Sequence, residues 1–278
     1  MTAAASIVVP TRNRAGYLRV ALDSIRAQDV AAPFEVIVVD DGSTDATPAV
    51  VDDAGAKLVR TPARGPNTAR NAGFDAAEGE LVVFVDDDIE APQGWLAAYL
   101  DGADHHPDAD AFGGPIRARF EGRAPRSCGR EPAPITTLDL GPEDRDADLV
   151  WGANMAIRRR AFDRIGPFDE ALPQFGEEEE WLTRLRDAGG RVVYLADARI
   201  DHRREDCDAR LGVLMRGAYV RGQRLRLHDV RRGSAPSLAR ELRVLAGCGW
   251  HTARHACPQG LVMGAHSLGR VLATVRPR

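Results

Sequence analysis

Three consecutive carboxylates, Asp86-Asp87-Asp88, follow directly on the apolar run Leu81-Val82-Val83-Phe84-Val85. Adjacent acids repel one another unless a cation or ligand protons compensate them. A hard divalent ion, Mg²⁺ or Mn²⁺, is the natural partner, because it commonly bridges a few carboxylates to phosphate oxygens. A second acidic pair, Asp40-Asp41, closes the apolar run Phe34 to Val39 and leads into Gly42-Ser43-Thr44-Asp45. A third cluster, Glu177-Glu178-Glu179-Glu180, opens onto Trp181-Leu182, where the dipole of a helix N-terminus favours negative charge. Read singly, each run is also what a solvated acidic turn looks like.

The elements around these acids decide whether they can meet. Five apolar residues before Asp86 read as a strand buried on both faces. Ser6 to Pro10 is a shorter strand, ended by a proline that cannot continue a ladder. Tyr17, Leu18, Ala21, Leu22 and Ile25 recur at helical spacing, and a helix is expected over 46–54 after the turn chemistry of 40–45. Lys57 to Arg60 is a third strand, and Pro66 to Ala77 a third helix, with Asn67 as its expected cap. Strand alternating with helix implies a parallel sheet with right-handed crossovers. Ligands of such sheets bind beyond the carboxyl ends of the strands. Two strand ends carrying acids on one rim therefore predict one site.

Downstream, residues 121–147 carry Gly, Pro, Arg and Asp with little periodicity, the mark of a functional or mobile segment. Order returns at 149–157, then a short helix (159–165), the acidic helix start at 177, a strand at 191–195, and Ile200-Asp201-His202. The expected division is a body over 1–202, with a first half to 112 and a second from 113, and a helical extension over 203–278.

Composition sets bounds on the reading. With 44% hydrophobic and 28% charged residues the chain is an ordinary globular protein. Its net charge of −4 hides an asymmetry. From Arg203 to Arg278 fifteen arginines stand against five acids, a net +10, which leaves −14 on the first 202 residues. Such a tail suits an anionic partner, phospholipid or a phosphorylated acceptor. Four cysteines without a Cys-x-x-Cys pair fit a reducing, cytoplasmic compartment. Neither a leader at Met1-Thr2-Ala3 nor an apolar run near the ~20 residues of a spanning helix is visible. His251 and His255 share a helical face near Cys248 and Cys257, but the spacing and Pro258 favour ordinary packing over a zinc site.

The motifs in order are Ile7-Val8-Val9-Pro10-Thr11-Arg12-Asn13-Arg14, Val38-Val39-Asp40-Asp41-Gly42-Ser43, Ala69-Arg70-Asn71-Ala72-Gly73, Phe84-Val85-Asp86-Asp87-Asp88, Gly152-Ala153-Asn154-Met155 and Phe175-Gly176-Glu177-Glu178. Over about residues 5–202 this succession resembles the glycosyltransferase family 2 enzymes. The resemblance implies a GT-A fold, Rossmann-like α/β with a mostly parallel mixed sheet flanked by helices, here followed by a basic helical extension. It implies inverting transfer of a sugar from a UDP-, GDP- or dTDP-sugar to a hydroxyl acceptor. By the same resemblance, Pro10, Thr11 and Arg14 line the nucleotide pocket, Asp41 accepts from the base ring N–H, and Arg70 approaches the pyrophosphate. Asp86 and Asp88, with Asp87 between them, are the metal and diphosphate end of the site, with Mn²⁺ or Mg²⁺ as cofactor and His202 as a further metal ligand. Trp151 and Asn154 bound the sugar or acceptor pocket. Glu178 or Glu177 is the general base, where the family more often shows Glu-Asp.

Two other classes share parts of this pattern. A haloacid-dehalogenase-type phosphatase shares a strand-end Asp-x-Asp, but wants Thr where this chain has Glu90 and leaves Asp40-Asp41-Gly42-Ser43 unexplained. A non-catalytic nucleotide-sugar-binding scaffold has no need of every acidic position. No nucleic-acid partner is expected. A cytoplasmic location is expected, with peripheral contact between the basic tail and the inner face of the cell membrane.

Overall fold

A computed structural model describes residues 3–125, 135–172, 177–231 and 233–275, without the side chains of Glu177, Asp206, His228, Arg231 and Val275. The chain begins β1 (Ala5–Thr11), α1 (Ala15–Arg26), β2 (Phe34–Asp40), α2 (Thr47–Asp53), β3 (Lys57–Arg60), α3 (Pro66–Ala76) and β4 (Leu81–Val85). It continues β5 (Ile89–Glu90), α4 (Trp95–His105), β6 (Ala111–Gly113), β7 (Ile116–Phe120), β8 (Arg145–Asp146), β9 (Asn154–Arg158) and α5 (Arg159–Ile165). Then come α6 (Glu177–Asp187), β10 (Val192–Tyr194) and β11 (Ile200–Arg204), and three long helices, α7 (Leu211–Arg231), α8 (Leu238–His255) and α9 (Pro258–Val275).

Two compact units result. The first, Met1–Arg119 with Thr136–Arg203, holds a sheet in the order β3-β2-β1-β4-β9-β6-β10-β8 and a smaller one in the order β5-β11-β7. The second takes Phe120–Ile135 with Arg204–Arg278.

Strand β4 shows why the first unit has two layers of helix. Its side chains alternate across the sheet. Leu81, Val83 and Val85 enter the core shared with α1, α2 and α4, whereas Val82 and Phe84 enter the core shared with α3, α5 and α6. All five are buried, and each fully buried large side chain contributes about 1.5–3 kcal/mol. The first four strands of the sheet are parallel, as their alternation with helices requires.

Strand β9 breaks that pattern. It runs antiparallel to β4 with Val85 opposite Asn154, so the residues leaving β4 and those entering β9 share one rim. In the small sheet β11 runs antiparallel to β5, with Ile89 opposite His202. These two reversals bring distant sequence to the Asp86–Asp88 loop.

One local expectation is corrected. Helix α3 starts at Gly65 and Pro66 rather than at an Asn67 cap. Asn67 Nδ2 instead donates to the Asp169 carbonyl at 2.7 Å.

In the second unit, α7 and α8 both pack on α9. A Cβ on Gly222 would stand 2.0 Å from the His266 carbonyl oxygen, so only glycine permits that approach of α7 to α9. Among the described residues no helix is long and apolar enough to cross a membrane.

Candidate active site

The carboxyl ends of β1, β2 and β4 open onto one rim, and hydrogen bonds sew their loops together. The Asp41 N–H donates to the Thr11 carbonyl at 2.9 Å. Asn13 takes a positive φ of 55°, a conformation Asn adopts more readily than most residues. There its amide donates to Ser43 Oγ and its side chain accepts from the Thr44 N–H at 2.8 Å. The Ala15 N–H reaches Asp45 Oδ2 at 3.0 Å, which fixes the start of α1. Arg14 is thereby presented to the β4 loop.

Arg14 spans two of the three aspartates, with Nη1 2.8 Å from Asp87 and Nη2 2.9 Å from Asp88. Thr11 Oγ1 donates to the other oxygen of Asp87 at 2.6 Å. Burial drives the Asp87 carboxyl upward, to about 7, with Arg14 and the Thr11 hydroxyl pulling against it and Asp88 and Asp86 adding to it. Burial works to lower the Arg14 pKa, but Asp87, Asp88 and Asp86 outweigh it and raise it. The middle aspartate therefore fastens Thr11 and Arg14, while Asp86 is the most open of the three.

On the far side His202 Nε2 lies 2.7 Å from Asp88 Oδ1 and 3.8 Å from Asp86 Oδ2. The Arg203 N–H donates to the Asp88 carbonyl at 2.8 Å, continuing the β5–β11 ladder and setting the histidine's height. Asp86, Asp88 and His202 each offer a ligand atom within 4.8 Å of the others. Two carboxylates and one imidazole can hold a divalent cation. The imidazole suits Mn²⁺ better than Mg²⁺, which prefers oxygen alone. Among the described residues no other group of three or more such side chains gathers, so the cysteines and histidines of the tail form none. His251 and His255 pack ring against ring, with centroids 4.9 Å apart.

The third acidic cluster arrives from α6. Glu178 Oε1 accepts the Gly152 N–H at 3.0 Å and lies 3.8 Å from Arg70 Nη2, which itself stands 4.0 Å from Asp86 Oδ1. Both Arg70 and Glu178 are buried. A Cβ on Gly152 would meet Glu178 Oε1 at 2.7 Å and Arg70 Nη2 at 2.8 Å, so the bare backbone there leaves room for both side chains. Phe175, Gly176 and the side chain of Glu177 lie outside the described residues.

The remaining candidates fall differently. Asp41 accepts from Thr61 Oγ1 at 2.6 Å, the Arg64 N–H at 3.0 Å and the Gly65 N–H at 2.8 Å, and so organises the loop before α3. Pro10 is half-buried on β1 opposite Val39, and Trp151 is half-buried beside Gly152 against the core of α1, α2 and α4.

Asn154 is a correction. It is fully buried, its Oδ1 accepts from Trp95 Nε1 and Tyr99 Oη, and its Nδ2 donates to the carbonyls of Pro115 and Ala198. An amide offers two donors and two acceptor sites. All four are spent inside the protein, so this side chain ties β9 to α4 and has nothing left for a sugar.

Sequence reasoning also passed over residues that the structure brings to the site. Asn13 and Gly152 could have been found from their types, an Asn just after a strand and a Gly just before one. The ring of Tyr17 takes two guanidinium groups, Arg14 at 4.9 Å and Arg203 at 4.8 Å from its centroid, and no local pattern marks that stack.

The chain is 33% identical over 209 residues to the pre-mycofactocin glycosyltransferase of Mycobacterium tuberculosis H37Rv, a match covering 71% of this chain and 42% of that protein. It is 25% identical over 224 residues to the glucosyl-dolichyl phosphate glucuronosyltransferase of Haloferax volcanii, covering 75% and 71% respectively. Its fold is similar to that of a GDP-Man and Mn²⁺ complex of the mannosyltransferase PcManGT from Pyrobaculum calidifontis, with a TM-score of 0.67 and 20% identity over 99% of this chain and 87% of that one. Residues 1–349 of TarS from S. aureus with UDP-GlcNAc give a TM-score of 0.53 at 27% identity, covering 73% and 58%. The chain thus spans less than half the length of the mycobacterial relative it matches. The family model described as glycosyl transferase family 2 matches residues 6–166, more than half of the sequence, and the chain belongs to that family.

Proposed function

We propose that this chain moves a sugar from a nucleoside-diphosphate sugar, UDP-, GDP- or dTDP-linked, to a hydroxyl acceptor with inversion at the anomeric carbon. The observation that carries the reading is the meeting on one rim of Asp86, Asp88 and His202 with Arg70 and Glu178. The nucleotide sugars in the complexes of PcManGT and TarS support it.

A divalent ion held by Asp86, Asp88 and His202, Mn²⁺ in preference to Mg²⁺, would supply Lewis-acid neutralisation of the diphosphate leaving group. Arg70 adds fixed positive charge on the same side, in a buried setting where it acts more strongly than in water. Glu178 takes the proton of the acceptor hydroxyl, which must come within about 3 Å of it on the face opposite the departing diphosphate. The Gly152 amide and Arg70 hold that carboxylate in place. Thr11, Arg14 and Pro10 wall the nucleotide pocket. With three donors already on it, Asp41 keeps about one of its roughly four acceptor sites for a base ring N–H. Trp151 borders the sugar or acceptor. The cytoplasm is the proposed location, with the basic tail touching the inner face of the cell membrane.

A panel of UDP-, GDP- and dTDP-sugars with Mn²⁺ tests the reading. One of them should raise the melting temperature and release nucleoside diphosphate when acceptor is present. A ligand at 100 times its Kd stabilises by about 2.7 kcal/mol. Absence of any shift across the panel, with and without Mn²⁺, would sink it.

A further inference from the structure

Helix α8 is inverted in polarity. Its one acid, Glu241, is buried, and accepts from Arg270 Nε on α9 at 2.7 Å. Arg270 Nη2 also bonds Asp229, the one acid of α7, at 2.7 Å, and α9 contains no acid at all. Every carboxylate of the three helices is thus turned toward Arg270. The nine arginines of these helices outnumber their two acids.

The outward side of α8 is the reverse. Ala239, Leu242, Ala246, Trp250 and Ala253 follow one another at spacings of three or four, so they form one stripe along the helix, and all are exposed. Trp250 is 71% exposed and Leu242 47%. On the adjacent row lie Arg240, Arg243 and Arg254, also exposed. Eighteen residues give a face roughly 27 Å long. Isolated exposed leucines are ordinary on a protein surface. A continuous stripe with an open tryptophan and an acid-free basic border is not.

We propose that the outward face of α8 docks on an anionic phospholipid bilayer and lies in its interface. An amphipathic helix with arginines beside an apolar stripe buries that stripe at the headgroup–acyl boundary. Tryptophan is favoured at that level. Charge complementarity selects a lipid surface over a second copy of the chain, because two such faces would bring arginine rows together. The inference adds a specific surface to the membrane contact proposed above and does not depend on the transferase chemistry.

Vesicle flotation of the full chain, without donor or acceptor, tests it. Vesicles of phosphatidylcholine with roughly one-third phosphatidylglycerol should recover the protein, each arginine near the surface contributing about fivefold. Recovery should fall as salt rises from about 0.1 M to about 1 M. The paired variants Arg240→Glu with Arg243→Glu, and Leu242→Gln with Trp250→Ser, should each lower recovery at least tenfold while circular dichroism keeps the helix content. Equal recovery on pure phosphatidylcholine would overturn the proposal. So would recovery unchanged by both paired variants, or a dimer in sedimentation equilibrium that Leu242→Gln with Trp250→Ser converts to monomer. A failure of flotation leaves the nucleotide-sugar panel untouched, and a silent panel leaves flotation untouched.

Discussion

The Gly152 amide donates to Glu178 Oε1 at 3.0 Å, and a methyl group on Gly152 would stand 2.7 Å from that same oxygen. The carboxylate is thus seated on bare backbone, with Arg70 Nη2 3.8 Å from the same oxygen. Glu178 is held where it is by a residue that contributes only an N–H and the absence of a side chain.

Gly152→Ala should therefore displace Glu178 and Arg70 without disturbing the sheet. A misplacement near 1 Å can cost about 10²-fold in rate. The expected outcome is a fall in turnover of up to that size, with nucleotide-induced thermal stabilisation largely kept. Steady-state kinetics beside thermal shift separates the two effects.

Glu178→Gln keeps the shape and the Gly152 hydrogen bond but removes the base. Turnover should fall by about 10²–10⁴ with donor binding intact. Glu177→Gln, made in parallel, should leave most of the rate. If the ranking reverses, the base is one residue earlier.

Asp88 sits between Arg14 and His202. Asp88→Ala should abolish the extra stabilisation that Mn²⁺ gives in the presence of a nucleoside diphosphate, and His202→Asn should weaken it. Chelation with EDTA should bring the wild-type protein down to the level of Asp88→Ala. An Mn²⁺ response unchanged in both variants would remove the metal assignment.

Asn154→Leu addresses the first unit's stability rather than binding. It leaves Trp95 Nε1, Tyr99 Oη and the carbonyls of Pro115 and Ala198 without their partner. Each stranded buried group costs about 1–3 kcal/mol. A loss of about 3 kcal/mol or more is expected in denaturant unfolding, large enough to lower the yield of folded protein. An unchanged midpoint would mean that Asn154 does not tie the layers together.

The second unit should respond to pH through His266. Burial lowers its pKa, and Arg270 and Arg221 lower it further against the opposing pull of Glu241. Above about 6.5, the ordinary histidine value, both folded and unfolded states are neutral there, and its contribution to stability is fully present. Below that value the unfolded chain takes up a proton that the folded helices resist, so stability falls toward the depressed folded pKa. His266→Gln should flatten the dependence of unfolding on pH below about 6.5. An identical slope in variant and wild type would assign the effect elsewhere.

Local sequence specifies the first half of the fold. In β1, β2 and β4 the apolar runs end in Thr11, Asp40-Asp41 and Asp86, and parallel strands separated by helices must present those ends on one rim. The strand-end acids are therefore legible as one group in the sequence, since hydrophobic period and element order are local properties. The inverted face of α8 was half legible, as an excess of arginine without an orientation.

The remaining geometry comes from long-range pairing. His202 is 114 residues from Asp88 and reaches it because β11 pairs antiparallel with β5, and Gly152 meets Glu178 because β9 runs against β4. Asn154 reads in sequence like a ligand-binding amide next to the site. Burial by α4 and two carbonyls converts it into a tie between layers. Strand direction and register arise from long-range pairing that no stretch of a few residues contains, and a one-residue change in register would send every one of these side chains to the opposite face.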